Sequence, residues 1–215
     1  MYDSEARQKT LNLTVSAVFV AILLLEAFIP NVGYITILPG LPAITTIPLT
    51  VAVFASLRGP KAGAAFGLVW GLTSLLRAYV APNGLVTILL FQNPLIALLP
   101  RLAAGWAAGL AGQLADKWEK ESRKPLAYAL SGLLASAVNT LIVILLSDLV
   151  YFIHPQKLAL ALGAKSGQSL LVILFTALAV NGILEAVFSG LITPLITAPL
   201  KKRLKRRWSH PQFEK

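Results

Sequence analysis

The 215 residues are 56% hydrophobic and 13% charged, with a mean hydropathy of +0.73 and a formal net charge of +10, a balance that excludes an ordinary soluble domain and calls for lipid as solvent. There is no cysteine, which rules out disulfides, thiolate catalysis and cysteine-based metal sites. The basic residues stand in short clusters between apolar runs, the pattern of membrane topology and not of a nucleic-acid surface, so the expected partner is the lipid bilayer and no nucleic acid.

The last eight residues, 208–215, read WSHPQFEK, a streptavidin-binding affinity tag, and are set aside. The remainder, 1–207, reads as one domain: an all-α integral membrane protein, a single bundle of six transmembrane helices. A spanning helix needs about 20 largely apolar residues bounded by Pro, Gly or charge, and six runs qualify in chain order. The first covers about 11–29 and stops at Pro30. Its start is too polar, and its apolar run too long, for a cleaved signal peptide. An apolar loop broken by Pro39, Gly40 and Pro42 follows over 31–43 and is expected to fold back against the bundle. The second run, 44–57, is short, with Pro48 near its start. The third, 62–78, carries Gly63, Gly67 and Gly71 at four-residue spacing, which lets a neighbouring helix approach closely. The fourth, 89–115, contains Pro94 and Pro100 and is expected to kink, with freed carbonyls facing protein or a cavity. The fifth is 126–151. The sixth, 169–199, is expected to bend or end early at Pro194.

Fourteen of the eighteen Lys and Arg residues before the tag fall on one side of this map, in the N-terminal segment, the turn at 58–61, the loop at 117–124 and the tail at 201–207. Arg77, Lys157 and Lys165 fall on the other, and Arg101 lies within the fourth helix. Cytoplasmic segments hold the positive excess, so both termini are expected in the cytoplasm. No nucleotide-binding loop and no repeat of transporter length occur. The chain is therefore not expected to be an enzyme or to bind a cofactor or metal, and His154 reads as a solvated loop residue.

Charges and amides inside a membrane are costly and mark a site, a pathway or a structural pair. Glu26, Arg77, Gln92, Asn93 and Asp148 map to the outer helix ends, while Asn139, Asn181, Arg101 and Glu185 lie deeper. Arg101 and Glu185 reach similar depth and are read as a structural ion pair that fixes helix register, with ligand binding as the alternative. The outer group points to a substrate pocket open to the outside. Arg77 suits a carboxylate or phosphate, Gln92, Asn93, Asn139 and Asn181 offer donors and acceptors, and Trp70 and Phe91 supply apolar walls. The competing reading makes the asparagines interhelical glue, Arg77 a snorkelling side chain and Trp70 ordinary packing. Ala17 and Ala21, four apart on the first helix, form a small-residue docking face.

With six helices, the alanine pair, Arg-Gly-Pro-Lys-Ala-Gly-Ala at 58–64, the run Phe-Gly-Leu-Val-Trp-Gly-Leu-Thr-Ser-Leu at 66–75 and Asn139-Thr140, the chain resembles the substrate-binding S components of energy-coupling factor (ECF) transporters. Gly-Pro-Lys-Ala-Gly, Gly-Leu-Thr-Ser-Leu and Leu-Pro-Arg are most similar to the pantothenate-specific subgroup, and folate, riboflavin and cobalamin relatives share the general pattern. The resemblance implies a prokaryotic plasma-membrane protein that captures a vitamin outside. Its implied partner is an ECF module of one transmembrane scaffold subunit and two ATPase subunits, which use the ATP. It further implies that Ala17 and Ala21 contact the scaffold subunit, that the protein topples while docked, and that the loop 31–43 gates the pocket. The rivals from other classes are a membrane enzyme, for which no catalytic constellation is visible, and a stand-alone secondary transporter.

Overall fold

The computed structural model describes residues 2–29, 32–35, 44–82, 84–163 and 169–209. Most of the expected lid over 31–43 lies outside these residues, as does the end of the tag. The described chain is helical apart from one short antiparallel ladder. Five helical stretches are long and apolar enough to cross a bilayer: Gln8–Phe28, Pro60–Val80, Pro94–Lys117, Glu121–Val150 and Leu170–Leu204. The protein is thus all-α and of multi-pass membrane character.

Between helices in lipid there is little hydrophobic driving force, so close packing and hydrogen bonds must hold the bundle together. Helix α1 (Tyr2–Phe28) turns Phe19, Leu23, Glu26 and Ala27 inward and leaves most of its remaining apolar surface exposed. Phe19 meets Phe54 at 5.3 Å between ring centres, and Phe54 meets Phe66 at 4.4 Å. Strands β1 (Tyr34–Ile35) and β2 (Ile44–Thr45) pair Tyr34 with Thr45 and Ile35 with Ile44, closing the stem of the first loop. Helix α2 (Ile47–Arg58) is buried from Ile47 to Leu57, enclosed by α1 and the later helices. Its 12 residues rise only about 18 Å, short of the roughly 30 Å of a hydrocarbon core. This helix is held by protein on all sides. It ends at Gly59, whose φ of 85° suits glycine and turns the chain directly into α3.

Helix α3 (Pro60–Val80) packs along α5 (Pro94–Lys117) through glycine. A Cβ on Gly63 would collide with the Gly105 carbonyl, one on Gly67 with the Arg101 carbonyl, and one on Gly105 with the Gly63 carbonyl. Backbone therefore meets backbone along this seam.

The expected kinked helix over 89–115 is two helices, α4 (Leu85–Phe91) and α5, separated at Gln92 and Asn93. The cause is Pro94, which disfavours the helical region for the residue before it. Asn93 is extended, at φ −82° and ψ 117°, and its Oδ1 caps α5 by accepting from the Leu95 N–H at 3.0 Å. Pro100, by contrast, stays inside a continuous α5. Helix α6 (Lys124–Val150) packs against α8 (Leu170–Ser209), with Gly132 against Ser189 and Gly182 against Thr140. Helix α7 (Gln156–Ala161) buries Leu158 against Leu90, Ile96, Ile144 and Leu174. Contrary to expectation, α8 continues through both Pro194 and Pro199.

At the end of the bundle that carries the basic clusters, Arg58 donates to Asn12, and Lys201 reaches Asp116 at 2.9 Å and the Ser56 carbonyl at 3.3 Å. The opposite end is left to build the site.

Candidate functional site

A cavity of about 320 Å³ opens at the end away from the basic clusters. Helix α3 contributes Trp70, Thr73, Ser74 and Arg77, spaced so that one helical face lines the space. Helix α8 contributes Leu178, Asn181, Gly182 and Glu185 at the same spacing, and α6 adds Asn139, Thr140 and Val143. Thr87 and Phe91 close it from α4, Arg101 from α5, and Thr45 and Ile47 from the loop stem and the start of α2. Tyr151 Oη holds α4 in place by donating to the Leu89 carbonyl at 2.5 Å.

Arg101 is fixed by its surroundings. Its guanidinium carbon lies 4.4 Å from the centre of the Phe91 ring and 5.4 Å from that of Trp70, a cation–π arrangement with rings from two different helices. Its Nη1 donates to the Ile96 carbonyl at 2.7 Å. Pro100 supplies no N–H to that carbonyl, which an unbroken ladder would have used. The carbonyl freed by proline is thus taken up by the next side chain.

Glu185 is buried, at 5% exposure. Its Oε1 accepts from the Thr45 backbone N–H and from Asn181 Nδ2, both at 3.0 Å, and Arg101 acts on it electrostatically. The stem of the first loop is in this way pinned to α8 from inside the cavity. Both Arg101 and Glu185 line the cavity, a position compatible with either of the two roles read from the sequence.

Of the other expected site residues, Arg77, Trp70, Asn139 and Asn181 are brought together on the lining. Gln92 and Asn93 are not. Gln92 Nε2 donates to the Ala78 carbonyl at 2.9 Å, tying α4 to the end of α3, and Asn93 is the α5 cap. Asn93 thus serves the helix that Pro94 begins, and Gln92 a carbonyl in the last turn of α3. Glu26 is likewise engaged elsewhere, accepting from the Thr46 and Thr50 hydroxyls at 2.7 and 2.9 Å. Ala17 and Ala21 are exposed, on the side of α1 away from Leu23 and Glu26. Sequence reasoning missed Thr73, Ser74, Thr87 and Thr140. The first two were legible, because they fall between Trp70 and Arg77 at three- and four-residue steps.

The family model for the substrate-specific component of ECF transporters matches residues 11–197. A protein of Leuconostoc mesenteroides subsp. mesenteroides described as pantothenate transporter PanT is 36% identical over 148 residues, covering 66% of this chain and 70% of that protein. Matched over nearly all of its helical length, the chain belongs to the family of ECF transporter substrate-specific components.

Proposed function

We propose that this protein captures pantothenate at the outer face of a prokaryotic plasma membrane and delivers it through an ECF module. One observation carries the reading: the cavity of about 320 Å³ gathers Arg77, Arg101, Trp70, Asn139 and Asn181 around one space. Its size lies at the lower end of the roughly 300–1,000 Å³ usual for small-ligand sites. Pantothenate has one carboxylate, one amide and two hydroxyls, which match arginines and asparagine amides in type. The corrin ring and nucleotide loop of cobalamin would demand a wider space. Riboflavin would call for a free aromatic face, whereas Phe91 and Trp70 both flank Arg101. The similarity to a protein named as a pantothenate transporter supports the same choice.

In this reading the chain crosses the membrane six times with both termini inside, α2 completing the sixth crossing together with the stem of the first loop. The chain needs no cofactor of its own. ATP is used by the two ATPase subunits of the module, and the exposed Ala17 and Ala21 meet its transmembrane scaffold subunit, where small residues allow close approach. Calorimetric titration of the detergent-solubilised protein should give saturable binding of pantothenate and none of folate, riboflavin or cobalamin. Binding of one of those in place of pantothenate would overturn the substrate. Uptake into liposomes driven by an ion gradient, with no partner subunits, would overturn the mechanism.

A further inference from the structure

We infer that the cavity is polar in a directed sense and accepts a small hydroxylated acid only in its unphosphorylated form, rejecting the phosphate ester of the same molecule. This rests on the reading that the vitamin occupies this cavity and adds which end of it is inspected, and how.

The two sides of the cavity differ in chemistry. The α3 and α5 side carries both cations, Arg77 and Arg101. The α6 and α8 side carries acceptors. Asn181 cannot be turned over at will, because its Nδ2 donates to Glu185 Oε1 at 3.0 Å, and an amide oxygen in that place would face a carboxylate. Its Oδ1 is therefore committed as an acceptor. That oxygen is buried and has no hydrogen-bond partner among the described residues; the Asn139 amide across the α6–α8 pair is also incompletely partnered, and either of its ends can turn to a ligand. A buried acceptor without a donor is costly, and Asn181 Oδ1 is complemented by a ligand that brings an O–H or N–H group, with the Asn139 amide beside it for a second hydroxyl. Glu185 adds a second acceptor group one helical turn further along α8.

A ligand lying across this space puts its carboxylate toward the arginines and its hydroxyls toward the asparagines. Phosphorylating a hydroxyl replaces a donor by a group with close to two negative charges and acceptor oxygens. Those oxygens would face Asn181 Oδ1 and the Glu185 side chain. A polar site built for a hydroxyl also rejects the analogue that lacks it, because its buried partners are then left unpaired.

The test is titration of the full chain in detergent with pantothenate, its 4′-phosphate ester and the analogue in which hydrogen replaces both hydroxyls. Both altered ligands should bind at least about 100-fold more weakly than pantothenate. In Asn139→Ala, pantothenate should lose about 10- to 100-fold while the deoxy analogue loses little, since the contact is already absent. A purely structural role for Asn139 would weaken both ligands equally and overturn the assignment. Equal binding of pantothenate and its phosphate ester by the unaltered protein would overturn the inference while leaving the capture of pantothenate standing. Absence of pantothenate binding altogether would remove both.

Discussion

Arg101 Nη1 donates to the Ile96 carbonyl at 2.7 Å, filling the hydrogen bond that Pro100 leaves open. The proline thereby acts as a tether for the arginine that follows it. In Pro100→Ala the restored N–H competes for Ile96, so α5 should gain stability while Arg101 loses its fixed position. Thermal unfolding in detergent should rise and pantothenate affinity should fall by about tenfold, a loss of ~1.4 kcal/mol. Equal affinity in the variant would show that the tether is incidental.

Arg101 itself should tolerate little change. Lysine offers a point charge without the planar fork that spans a carbonyl, two rings and a ligand. Arg101→Lys should weaken pantothenate binding by about 1.5–3 kcal/mol, the scale of one charge-assisted hydrogen bond, and Arg101→Met should abolish measurable binding. Calorimetry beside circular dichroism separates this from unfolding.

Asn93 and Gln92 should behave as structural residues. Asn93→Ala removes the cap of α5 and should cost about 1 kcal/mol of stability, whereas Asn93→Ser, which keeps a capping oxygen, should restore it. Pantothenate binding to Asn93→Ser should match the unaltered protein within error. A serine variant that is stable yet does not bind would return Asn93 to the ligand.

Ala17 and Ala21 are tested by bulk. Replacing both by tryptophan should leave calorimetric binding unchanged and abolish ATP-dependent uptake in liposomes containing the module. Loss of binding in the double variant would mean that this face of α1 supports the cavity and does not dock.

The architecture was legible where physics is local. Runs of apolar residues located the long helices, and the spacing of Gly63, Gly67 and Gly71 foretold the close α3–α5 approach that is observed. Four of the six expected ligand residues, Arg77, Trp70, Asn139 and Asn181, do share one cavity. Gln92 and Asn93 do not line that cavity, because polar type and depth say nothing of prior engagement: the last turn of α3 holds the Gln92 amide and the start of α5 that of Asn93. For Arg101 and Glu185, pairing and facing a cavity are decided by rotation about two helix axes, which depth along the chain does not encode. The continuity of α8 through Pro194 and Pro199 depends likewise on its neighbours, which proline content alone cannot report.

The α3–α5 seam has one consequence for how such a protein can change over time. Because glycine backbones touch directly, the closest approach between the helices that carry Trp70, Arg77 and Arg101 is set by main chain. Exchanging Ser74, which lines the cavity from α3, leaves this backbone contact in place, whereas any side chain at Gly63, Gly67 or Gly105 would drive the two helices apart.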